Sequence, residues 1–86
     1  MSRKIEDFAE ISFRKELGGR LKEVRERAGC SQVQFAERIQ LTQPTVVRYE
    51  AGDRAPDAYL LMRIAKEFGA DLNWLILGDK GKPSKV

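Results

Sequence analysis

The 86-residue chain predicts an all-α fold: five short helices packed into one compact domain. Three observations carry this. Apolar residues recur at helical period, with no strict alternation of apolar and polar residues to signal a strand. Glycines at 29, 52, 69 and 78 stand where that periodicity stops, and glycine is the residue that most readily takes the left-handed conformation that ends helices. Four segments also begin at capping side chains: Ser31 with Gln34 as an S-x-x-Q box, then Thr42, Asp57 and Asp71.

The first helix is expected over residues 13–28, where Phe13, Leu17, Leu21, Val24 and Ala28 form one apolar stripe. The second, residues 32–39, offers Phe35, Ala36 and Ile39. The third, residues 43–51, offers only Val46 and Tyr49 as clear core residues. Both are too short to stand alone and must be held by packing. The fourth, residues 58–68, places Leu61, Ile64, Ala65 and Phe68 on one face, and a short fifth follows over residues 72–77. The domain proper is therefore expected over 13–78. Residues 1–12, with Ile5, Phe8 and Ile11, either extend the first helix or form an N-terminal arm that folds back. Residues 79–86 read as a flexible tail.

Composition excludes several function classes. A chain of this length buries only about 60–65% of its unfolded surface, too little for a core and a deep walled cavity together. That favours a binding surface over a catalytic pocket. Histidine is absent and Cys30 is the lone cysteine, so an internal disulfide and the usual zinc sites are excluded; we expect no metal, no cofactor and no small-molecule effector. No apolar run approaches the roughly 20 residues that span a bilayer, and residues 1–12 lack the apolar stretch of a signal peptide. A cytoplasmic, nucleoid-associated protein is expected. The formal charge of +3 and pI near 9.2 permit contact with a polyanion without demanding it.

The segment SQVQFAERIQLTQPTVVRYE, residues 31–50, carries the functional reading. It is two short helices joined only by Gln40, Leu41 and Thr42, so the helices must cross steeply. The small Ala36 permits that crossing, and Phe35, Ile39, Leu41, Val46 and Tyr49 fill it. This is helix-turn-helix spacing. It leaves one face of the later helix, with Gln43, Pro44, Thr45, Val47 and Arg48, without a protein partner. Gln pairs with adenine and Arg with guanine through two hydrogen bonds each, so such a face suits the major groove.

LGGRLKEVRERAGCSQ, FAERIQLTQPTVVRYEAGDRAP and LLMRIAKEFGADLNWLILG, taken in order, resemble the Cro/repressor (lambda-repressor-like) helix-turn-helix family over residues 13–78. Several separate motifs agree: L-x-x-R-L-K-x-x-R, the S-Q start of the second helix, R-Y-E-x-G-x-R-x-P, and I-A-K-x-F-G followed by W-L-x-x-G. The resemblance implies a compact five-helix domain that binds operator DNA, commonly as a two-fold dimer. It implies a transcriptional regulator, here expected to be a repressor, with Gln43, Pro44, Thr45 and Arg48 reading bases. It places Gln32, Thr42 and Arg54 at phosphates, and Arg25 with Glu50 as a structural ion pair. The partner is then double-stranded operator DNA of pseudo-palindromic sequence, met by a homodimer. The family usually has glycine where this chain has Gln40, which takes a positive φ at greater cost. Relatives also usually carry a larger apolar residue at the position of Cys30.

Cys30 reads as a small buried hydrophobe rather than a redox switch. Arg14, Lys15, Arg20, Lys22 and Arg27 are interleaved with Glu16, Glu23 and Glu26, the pattern of solvated ion pairs; Arg20 is the one singled out for a phosphate. Trp74 either closes the core or joins a partner surface, and Ile76 and Leu77 are the better dimer contacts. An antitoxin-like or adaptor module on the same fold is the alternative function, since fold does not fix function. Enzymatic activity is not expected: no nucleophile–base pair or glycine-rich phosphate loop is present.

Overall fold

The computed structural model describes residues 7–78 and Pro83. Within them are five helices and no strand: α1 (Phe8–Arg27), α2 (Gln32–Arg38), α3 (Gln43–Ala51), α4 (Ala58–Phe68) and α5 (Leu72–Leu77). The last three have the expected bounds. Helix α2 stops one residue early because Ile39 leaves helical geometry to become its C-cap. Helix α1 starts five residues before its apolar stripe. Asp7 caps it, accepting a hydrogen bond from the Ala9 N–H at 3.0 Å, with Glu10 in the first turn. Of the two alternatives for the N-terminal segment, extension of the first helix holds from Phe8 onward; periodicity alone does not mark the start, because Phe8 is 83% exposed and contributes nothing to the stripe. At the other end Ala28, expected in the core, is an exposed C-cap, and Phe13 is half-buried. Ile5 and all of residues 79–86 except Pro83 lie outside the described residues.

One apolar core joins all five helices: Leu17, Leu21 and Val24 of α1, Phe35 and Ala36 of α2 with Ile39, Val46 of α3, Leu61 and Ile64 of α4, and Leu75 of α5. The Phe35 and Phe68 rings stack at 4.7 Å, tying α2 to α4. The Arg38 guanidinium lies 4.3 Å from the Phe68 ring centre and 2.9 Å from the Glu67 carboxylate.

Helix α3 is held against α1 at unusually close range. A Cβ placed on Gly18 would collide with the Tyr49 carbonyl oxygen and fall 2.7 Å from that of Glu50. Only glycine allows this approach of one helix backbone to another. A Cβ on Gly52, just past α3, would come 2.9 Å from the Lys15 Cα, and the residue also has φ +83°. The α1–α3 contact is thus set at both ends by missing side chains.

The turn between α2 and α3 closes as a Schellman motif. The Leu41 N–H donates to Ala36 O at 2.8 Å and the Gln40 N–H to Glu37 O at 3.3 Å. Gln40 sits at the left-handed position with φ 59°, the one non-glycine residue with positive φ among the described residues. The motif therefore forms despite the substitution, at a local cost. Gln40→Gly is expected to raise stability by about 0.5–1 kcal/mol: relief of left-handed strain is partly offset by the greater freedom of the unfolded chain. Urea unfolding of both forms checks this, and an unchanged or lower midpoint would contradict it.

Candidate nucleic-acid interface

Three ties from α1 fix how α3 is presented. The first is the glycine contact at Gly18. The second is Arg14, whose Nε donates to Gly52 O at 3.0 Å, at the end of α3. The third is the expected ion pair: Arg25 Nε donates to Glu50 Oε2 at 2.6 Å and its Nη2 to Glu50 Oε1 at 3.0 Å. Both side chains are largely buried, at 12% and 7% exposure. Arg25 also donates to Cys30 O at 3.0 Å, which fastens the α1–α2 connection to the same point. The hydrogen bond to Glu50 raises the Arg25 pKa above its ordinary value, so the guanidinium stays charged at any working pH.

With Val46 buried and Tyr49 packed on the core, the opposite side of α3 faces outward. Gln43, Pro44, Val47 and Arg48 are exposed there, as helical spacing requires of residues i, i+1, i+4 and i+5. Pro44 lies in the first turn, where its missing N–H costs nothing. Thr45 is half-buried, and its hydroxyl meets that of Thr42 at 2.9 Å. Thr42 is the N-cap residue by position but makes no side-chain bond to the helix backbone. Arg54 is exposed in the loop after α3, with its N–H on Arg48 O at 3.4 Å.

Gln32 is half-buried at the head of α2, beside the start of α3. Its Nε2 donates to Glu50 Oε1 at 3.2 Å, and its Oε1 accepts from Gln43 Nε2 at 3.4 Å. Two expected DNA contacts and the ion pair are thereby joined in a single chain of hydrogen bonds, a connection the sequence did not reveal.

Arg20 is placed elsewhere. Its Nε donates to Leu75 O at 2.8 Å and its Nη2 to Ile76 O at 3.2 Å, satisfying the carbonyls at the end of α5. The structure gives this side chain, 16% exposed, a capping place at the end of α5, with its Nη1 4.0 Å from the exposed Glu16 carboxylate. Arg63 does the same for α2, donating to Ile39 O at 3.2 Å. Several arginines thus stitch helix ends together. Arg48 and Arg54, by contrast, are exposed and make no side-chain hydrogen bond or ion pair among the described residues.

Trp74 and Ile76 are half-buried against the core, while Leu77 is 65% exposed. Cys30 is half-buried beside the core, with Arg38 Nη1 3.7 Å from its sulfur. No group of His, Cys, Asp and Glu able to hold a metal occurs among the described residues, and none of their helices is long and apolar enough to cross a membrane.

The family model described as Helix-turn-helix matches residues 21–75. The chain is 37% identical over 59 residues to the uncharacterized HTH-type transcriptional regulator YgzD of Bacillus subtilis (strain 168), covering 65% of this chain and 89% of that protein. It is 31% identical over 64 residues to the HTH-type transcriptional regulator ImmR of the same organism, covering 74% of this chain and 50% of that one; it spans only half of ImmR. Among solved structures it is similar to the S. venezulae BldD DNA-binding domain, with TM-score 0.67 and 30% identity over 76% of this chain and 97% of that one.

Proposed function

Because the chain belongs to the helix-turn-helix family, we propose that it is a sequence-specific double-stranded DNA-binding transcriptional regulator, acting as a repressor, with α3 in the major groove. The observation that carries this is the outward face of α3: Gln43, Pro44 and Arg48 exposed side by side on a helix pinned from behind by Gly18, Arg14 and Arg25. A rigid helix with bidentate side chains at its free face is what base reading requires. Similarity to proteins named as transcriptional regulators, and to a domain named as DNA-binding, supports the same reading.

In this reading Gln43 and Arg48 hydrogen-bond base edges, the Pro44 ring touches a thymine methyl, and Thr45 lies alongside. Gln32, Thr42 and Arg54 meet phosphates and set register. Two protomers read half-sites about 34 Å apart on a pseudo-palindromic operator. The dimer contacts are assigned to the α5 end, foremost the exposed Leu77, with Trp74 and Ile76 behind it. The protein works in the cytoplasm, at the nucleoid, and carries out no catalysis.

Selection of bound sequences from random duplex DNA tests the proposal. A single enriched motif with two-fold symmetry is expected, and recovery of unenriched DNA would contradict it. Salt titrations then separate the arginines. Arg54→Ala is expected to weaken binding to all sequences alike and to reduce the salt slope by about 1. Arg20→Gln is expected to leave that slope unchanged and to lower stability by about 1–2 kcal/mol through uncapping α5. A reduced slope in Arg20→Gln would return that residue to the DNA contacts.

A further inference from the structure

We propose that the DNA-contacting surface extends beyond the helix-turn-helix onto α1, where Lys15 binds a backbone phosphate at the edge of the major groove. The proposal rests on the placing of α3 in the groove given above.

Helix α1 carries six cations, and four of them have partners within the protein. Arg14 and Arg20 donate to backbone carbonyls, Arg25 donates to Glu50, and Arg27 lies 3.4 Å from the Glu23 carboxylate. Lys15 and Lys22 are exposed and make no hydrogen bond or ion pair among the described residues. The fold ties Lys15 to the end of α3. A Cβ on Gly52, the left-handed residue that closes α3, would come 2.9 Å from both the Cα and the Cγ of Lys15. The neighbouring Arg14 holds the Gly52 carbonyl at 3.0 Å. Because Gly52 has no side chain, the lysine stem lies across the end of α3, close in sequence to the exposed Arg54.

DNA geometry makes that end a phosphate position. A nine-residue helix is about 13 Å long, and the major groove is about 12 Å wide between its two phosphate walls. An α3 whose first turn reads bases therefore carries its last turn to a wall. Charge favours the same assignment. Asp53, exposed between Gly52 and Arg54, offsets one positive charge at this end. The acids beside Lys15 on α1 are engaged, Glu10 with Arg14 at 3.7 Å and Glu16 with Arg20 at 4.0 Å. Lys15 thus leaves the end of α3 net positive where a phosphate would stand. Its ammonium is a compact charge on a flexible stem, which suits a phosphate oxygen without demanding a fixed angle.

Salt titrations on two duplexes, the selected operator and an unrelated sequence of equal length, test the assignment. Lys15→Gln is expected to bind both more weakly by the same factor and to make the salt slope shallower by about 0.9. Between about 0.05 M and 0.2 M salt the wild type then loses about 3.5-fold more affinity than the variant. Base preferences and melting temperature are expected to stay at their wild-type values. Lys15→Arg, which keeps the charge, is expected to restore the slope. Lys66→Gln removes the same charge from the last turn of α4, beside the cleft between α4 and α5, and is expected to change the slope by less than half as much. An unchanged slope in Lys15→Gln would overturn the proposal; a lower melting temperature alongside it would leave Lys15 as a counter-charge to the end of α3. Equal slope changes in Lys15→Gln and Lys66→Gln would also overturn it, as a response to net charge alone. So would loss of preference at a single base pair in Lys15→Gln. If the wild type binds neither duplex, the DNA-binding reading itself fails and the proposal with it.

Discussion

Gly18→Ala is expected to destabilise the domain by about 3 kcal/mol, although alanine is the better helix former. In an open helix interior the change gains up to about 1 kcal/mol. Here the new methyl would collide with the Tyr49 carbonyl oxygen and lie 2.7 Å from the Glu50 carbonyl oxygen. Both obstacles are backbone, so no rotamer change relieves them, and the cost falls at the upper end for overpacking. Relief requires α3 to move away from α1, so DNA affinity is expected to fall as well. Gly19 is the internal control: a Cβ there meets nothing within 4 Å. Gly19→Ala is expected to stabilise by about 0.5–1 kcal/mol. Urea unfolding of the two variants gives opposite signs on this account, and the same sign for both would refute the close backbone approach.

The second large effect is expected at the ion pair. Arg25→Ala strands the Glu50 carboxylate, whose side chain is 7% exposed, and removes the bond to Cys30 O. Breaking such a pair costs about 3–5 kcal/mol. The lower part of that range is expected because Gln32 Nε2 still donates to Glu50. Replacing both partners with apolar residues of similar volume, Arg25→Met with Glu50→Leu, is expected to recover most of the loss, since no buried charge then remains unpaired. Denaturation midpoints of the single and double variants check this. A double variant as unstable as Arg25→Ala would show that packing, rather than the stranded charge, sets the cost.

Helix ends carrying chemical punctuation were legible in the sequence. The capping box of Ser31 and Gln34, the caps at Asp57 and Asp71, and the four left-handed glycines all stand where expected. For α1 the extension ahead of the stripe was one of two open alternatives, and its exact start was not legible, because its only mark is Asp7 ahead of an exposed Phe8. At the candidate interface, exposure was legible where helical period alone decides it, as for Gln43, Pro44 and Arg48. It was not where a long side chain chooses among distant partners. Arg20 and Lys22 look alike in sequence, yet only the course of α5 decides that Arg20 caps it, 55 residues away. The bond between Gln32 and Glu50 depends on the same kind of tertiary placement. Gly18 left a trace that helical periodicity passes over: a glycine inside an apolar helical stripe marks close backbone approach.

The modest charge also takes on a clearer meaning. Arg14, Arg20, Arg25 and Arg63 donate to groups inside the fold, so the net +3 understates how few arginines face outward near α3. Arg48 and Arg54 are the two exposed there, and specificity is assigned to Arg48.

Whether α3 reads bases is decided by the binding of wild type and Arg48→Ala to the selected operator and to its single-base variants. A loss of about 1–3 kcal/mol is expected on the operator, with discrimination removed at one base pair per half-site and the melting temperature unchanged. An equal loss on every sequence, with all base preferences retained, would contradict it and leave Arg48 as a phosphate contact.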